Sequence, residues 1–186
     1  MQKISLYLAL SLMIVSGVVG VGIGYYLTPE YQLSMYDKNT MDLGAADRWL
    51  DLRYVNAMIA HHRGAILLAE QAQQSAREDV RTLAAEILKN EPVLIAELYG
   101  WKKDWYRDSR VVRDPLSPQL GTVDATFDLR FLNALIAHHE AGVLMTKDAR
   151  VKSSRAEVQD NANAVEQFLT TSGTTLREWR KNWFNV

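Results

Sequence analysis

The sequence predicts an all-α protein: a four-helix bundle made of two repeated helical hairpins, preceded by one N-terminal transmembrane helix. Three observations carry this reading. A thirteen-residue phrase starting at Asp51 returns at Asp128 with nine identities. Long segments rich in Ala, Leu, Glu and Lys show no sustained two-residue alternation, which leaves no signal for a sheet. From Ile4 to Leu27 no residue is charged.

That uncharged run opens the chain. At about 1.5 Å per residue it is long enough for a hydrocarbon core of about 30 Å. Lys3 precedes it and Glu30 follows, so the positive-inside tendency places the N-terminus in the cytoplasm and everything after Thr28 outside. Residues 1–28 are read as a membrane anchor contacting lipid through residues 4–27. A cleaved signal peptide is the alternative. Gly20-Val-Gly22 and Gly22-Ile-Gly24 imitate its cleavage pattern, but its apolar region usually has only about 7–15 residues. Ser16, Gly20 and Gly24 form a small-xxx-small stripe of the kind that pairs helices in membranes, which leaves a homo-oligomer open.

Residues 29–46 read as a polar stalk and 47–186 as the bundle. Its first hairpin, 47–106, pairs a helix from Ala46 to about Ser75 with one from Arg77 to Tyr106. Pro92 is expected to kink or divide the second of these, because proline has no backbone donor. Pro115, Pro118 and Gly121 make 107–123 a connection. The second hairpin, 124–184, repeats the pattern from Asp124 to Arg150 and from Ser153 to Phe184, weakened at Ser172-Gly173. Each unit closes on tryptophans, Trp101 and Trp105 in one and Trp179 and Trp183 in the other, which read as core or end-cap residues. Two such hairpins bury together what neither buries alone.

Composition removes several chemistries. Nearly half of the 186 residues are apolar and the formal net charge is −1, so nucleic acid is not an expected partner. Cysteine is absent, which excludes disulfides, thiolate zinc sites and iron–sulfur clusters. Met58, Ile59, Leu135 and Ile136 stand three residues before the histidines, so the Glu-x-x-His of carboxylate-bridged bundles is missing. No nucleophile elbow, phosphate loop or dinucleotide fingerprint occurs. A binding protein is expected rather than an enzyme, although a metal-dependent redox enzyme remains a rival.

All four histidines lie in the repeated phrase, as His61-His62 and His138-His139. On a helix with Arg53 at zero, His61 falls at about 80° and His62 at about 180°. They flank an apolar stripe formed by Tyr54, Met58, Ala65 and Ala69. Adjacent residues diverge by about 100° on a helix, so each pair reaches toward two neighbours rather than chelating one ion. Met58 projects between His61 and His62, and Met145 lies nearly above His138. Imidazole beside thioether suits copper, Cu(I) especially, better than zinc or iron. The competing reading makes the histidines core or interface residues of a non-enzymatic interaction or scaffold protein.

The stretch from Asn56 to Ala69 resembles the signature of domain-of-unknown-function family 305, Met-Ile-x-His-His-x-x-Ala-Ile-x-Met-Ala with a following helix that ends in tryptophan. The resemblance covers about 47–106 and 124–184, as two tandem units. It implies a ferritin-like four-helix bundle in the periplasm or on the extracellular face, binding copper through histidine and methionine for buffering, sequestration or tolerance. His61, His62, His138 and His139 would be the ligands, assisted by Met58 and Met145. The signature's first methionine becomes Leu135 in the second unit, and its second becomes Leu68 in the first. Its Gln-x-x-Glu-Ile on the next helix is also lost, with Glu91 and Leu94 there in one unit and Leu169 and Ser172 in the other. These departures imply a reduced copper capacity, or a bundle that has kept the fold without the function.

Overall fold

The computed structural model describes residues 42–186. The expected transmembrane helix and most of the stalk lie outside the described residues. Among these, four helices and no strand are found: α1 (Leu50–Ala72), α2 (Glu78–Tyr106), α3 (Phe127–Lys152) and α4 (Ala156–Phe184). None is long and apolar enough to cross a membrane.

α1 packs on α2 and α3 on α4, and the hairpins join through α1 against α3. The inner helices are accordingly the apolar ones: α1 and α3 bury eleven and fifteen residues, α2 and α4 only six and five. α2 and α4 hardly meet. The core falls into two clusters. One holds Met58, Tyr54, Ile95, Leu98, Met145 and Val158; the other holds Leu68, Ile87, Phe131, Leu132, Leu135 and Leu176. The histidines sit between them in sequence along α1 and α3.

The two hairpins are tied reciprocally. Ser75, in the turn between α1 and α2, donates from Oγ to the Asp128 carboxylate at 2.5 Å. Ser153, in the other turn, donates to Asp51 at 2.6 Å. The guanidinium of Arg77 lies 4.4 Å from the Trp183 ring and that of Arg155 lies 4.1 Å from the Trp105 ring. The stacked pairs Trp101–Trp105 and Trp179–Trp183 have the same spacing, 5.0 Å. The repeated Asp of each phrase therefore clasps the opposite hairpin, and the tryptophans cap the bundle ends.

The bundle begins earlier than the expected boundary at 47. Leu43 is buried, and its N–H donates to Asp148 at 3.0 Å. Arg53 donates to the carbonyls of Leu43 and Ala45 and pairs with Asp47. Arg130 does the same to Leu120, Thr122 and Asp124. Gly44 and Gly121 turn these segments with φ of 75° and 72°, a region open to glycine without a Cβ penalty. The Leu-Gly-x-x-Asp segments at 43–47 and 120–124 are thus parts of the repeat rather than stalk and linker.

One expectation for the outer helices is narrowed. α2 runs through Pro92 without division, with Ile87 before the proline and Ile95 after it buried in the clusters that α1 helps to form. α4, read as one helix weakened at Ser172-Gly173, runs through both.

Candidate metal centre

α1 and α3 bring all four histidines to one pocket of about 310 Å³, which opens between α2 and α4. His61 and His138 face each other across the α1–α3 contact, with ring centroids 3.8 Å apart and planes 7° from parallel. His62 turns instead to α2, where its Nδ1 contacts the carboxylate of Glu91. His139 turns to α4, with its Nε2 3.0 Å from Ser172 Oγ. The divergence of neighbours on a helix thus sends one ring of each pair inward and the other to its own hairpin partner.

His62, His138 and His139 are buried and His61 is partly buried. Desolvation, followed by the other imidazoles, holds His61 and His138 neutral to well below pH 6.5. His139 is lowered to about 4, chiefly by burial. Neutral imidazole is the ligating form, so this environment keeps the nitrogens available at ordinary pH. Burial thus moves proton competition for these nitrogens below the usual imidazole range near 6.5.

Several donors match a metal in chemistry without converging on one. His138 Nε2 is buried and has no hydrogen-bond partner, an arrangement uncommon for structural polar groups, whereas His139 is held by the Leu135 backbone and Ser172. Among the described residues, no three His, Asp or Glu side chains are placed to hold one ion. Rotation of the stacked His61 and His138 rings out of their mutual contact would be needed to aim them at a shared point.

Met58 and Met145 are fully buried, in one core cluster, and neither lines the pocket. Their counterparts in the repeat, Leu135 and Leu68, share the other cluster. The thioethers therefore lie together on one side of the histidine layer. Sequence reasoning assigned no role to Glu91 or Ser172, which supply oxygen atoms beside the histidines. A signal for Glu91 was present: on α2 it interrupts the buried series Val80, Ala84, Ile87, Ile95 and Leu98.

The bundle's near side is closed by glycine. A Cβ at Gly142 would lie 2.5 Å from Leu169 Cδ1 and 2.6 Å from His61 Cε1, so the absence of a side chain there is what admits the His61 ring.

The profile of the domain of unknown function DUF305 matches residues 51–122. No curated protein matches the chain. Among solved structures, CopM in the Cu(I)-bound form is 26% identical with a TM-score of 0.64, over 74% of this chain and 99% of that one. CopM in the Ag-bound form obtained by soaking is 27% identical, with the same TM-score of 0.64 and coverages of 74% and 99%. CopM in the Cu(II)-bound form, 23% identical over 72% of this chain and 97% of that one with a TM-score of 0.62, is similar in fold.

Proposed function

We propose that this DUF305-domain protein, whose bundle is similar in fold to CopM, is a metal-binding protein that takes copper at His61, His62, His138 and His139. Met58 and Met145 are buried outside the pocket, so a role as auxiliary thioether donors requires them to turn toward the histidine layer on loading. The single observation that carries the proposal is the gathering of every imidazole of the chain at one pocket, where the buried Nε2 of His138 has no protein partner. Similarity to a protein solved with Cu(I) and with silver supports copper over other metals. Buried ring nitrogens with a purely structural role are usually paired.

The role that fits is buffering, sequestration or tolerance outside the cytoplasm, with the chain retained in the membrane by residues 4–27. The uncharged run from Ile4 to Leu27 supports the anchor, and alkaline extraction of membranes tests it. Copper and zinc titration of the full chain in detergent, beside its four-histidine-to-alanine variant, tests the site. Loss of binding in a variant that keeps its helical circular dichroism is the expected result. Equal binding by the two proteins would refute the site.

A further inference from the structure

The two halves of the pocket are equivalent in the repeat and differ in charge. In the first half the imidazole of His62 meets the Glu91 carboxylate, whose side chain is only 12% exposed. In the second, Leu169 stands at the place of Glu91 and His139 meets a neutral hydroxyl, that of Ser172. Arg177 lies close enough to His139 to oppose a positive charge on it.

Glu91 is costly where it stands. It occupies a core position of α2 between Ile87 and Ile95, and its hydrogen-bonding partner is His62. A carboxylate turned into a bundle loses solvation that one bond to an imidazole does not fully restore. A cation in the pocket would restore it.

We propose that Glu91 makes this centre favour divalent over monovalent cations. The inference rests on the metal-binding reading above and assigns the charge class of the ion. Two effects act together. Accepting a bond from His62 Nδ1–H fixes the tautomer in which Nε2 carries the free lone pair, and the carboxylate raises the basicity of that nitrogen. The carboxylate also attracts an ion in proportion to its charge, twice as strongly for a doubly charged ion at the same distance. The His139 half has no carboxylate in the pocket lining, and the Glu140 beside His139 is engaged by Arg177 at 2.6 Å. The ion should therefore be held on the His62 side.

Zn(II) and Ag(I) serve as redox-inert probes, titrated into the full chain in detergent. Glu91→Gln keeps the size and a carbonyl acceptor but removes the charge. It is expected to weaken Zn(II) by about 10–100-fold and Ag(I) by about 3–10-fold, since a singly charged ion loses half the free energy. Glu91→Asp, which keeps the charge, is expected to retain more Zn(II) affinity than Glu91→Gln. Unchanged Zn(II) binding in Glu91→Gln, or equal losses for both ions, would overturn the role of Glu91 while leaving metal binding intact. A wild-type chain that binds neither ion would overturn the metal-binding reading and this inference with it.

Discussion

Replacing Gly142 by alanine strikes the histidine layer through one methyl group. The new Cβ would lie 2.6 Å from His61 Cε1, 2.8 Å from His61 Nε2 and 2.5 Å from Leu169 Cδ1. Ordinary contact begins at 3.4 Å, so the imidazole must retreat by roughly 0.8 Å. Leu169 presents the end of a flexible side chain and can rotate aside. His61 cannot retreat freely, because its ring is stacked on His138 at 3.8 Å. Overpacking of this kind costs about 1–3 kcal/mol, offset by about 1 kcal/mol from the better helix propensity of alanine. A net loss of up to about 2 kcal/mol should lower Tm by up to roughly 6 °C for a domain of this size. Gly100→Ala is the control, since nothing lies within 4 Å of a Cβ there. That change should gain up to about 1 kcal/mol. Thermal unfolding of the full chain in detergent, followed by far-UV circular dichroism, reads both. A Gly142→Ala protein stabilised as much as Gly100→Ala would refute the packing argument.

Metal-free stability should fall with pH, because His139 is neutral in the fold down to about 4 but charges near 6.5 when unfolded. The contribution is full above 6.5 and is lost as pH falls from 6.5 toward 4, by about 3 kcal/mol for this group. His61 and His138 add to the loss in the same direction. Urea unfolding at pH 7.5 and 4.5 checks this, and a pH-independent midpoint would contradict it. Met58→Leu with Met145→Leu conserves volume in a buried cluster, so stability should change by less than about 1.5 kcal/mol. If the thioethers assist, Ag(I) affinity in the double variant drops about tenfold, or 1.4 kcal/mol, with Zn(II) unchanged. Equal Ag(I) binding would reduce both methionines to core packing.

The helices and the repeat were legible because they rest on local periodicity. Arg53, Asp51 and the His-His pair recur with Arg130, Asp128 and a second pair at a fixed spacing. The reciprocal clasp of Ser75 with Asp128 and Ser153 with Asp51 was not legible, since it depends on how one hairpin meets the other. The repeat beyond the helices was written in Leu43-Gly44 and Leu120-Gly121, but short segments without periodicity read as stalk and linker. Pro92 was read from its lost donor alone, whereas packing on both sides carries α2 through it. Facing of His61 and His138, and of His62 and Glu91, joins residues on different helices and needed tertiary structure. Met58 and Met145 project beside the histidines on a helical wheel yet lie out of the pocket, because projection ignores height along the axis.

X-ray absorption of the copper-loaded full chain tests the central claim most directly, because imidazole leaves a distinctive outer-shell scattering pattern. Metal held by the histidine layer would show at least two imidazole nitrogens in the copper coordination sphere, and that pattern would vanish from the four-histidine-to-alanine variant. Copper bound without imidazole scattering, or with an unchanged spectrum in the variant, would place the metal elsewhere and contradict the account.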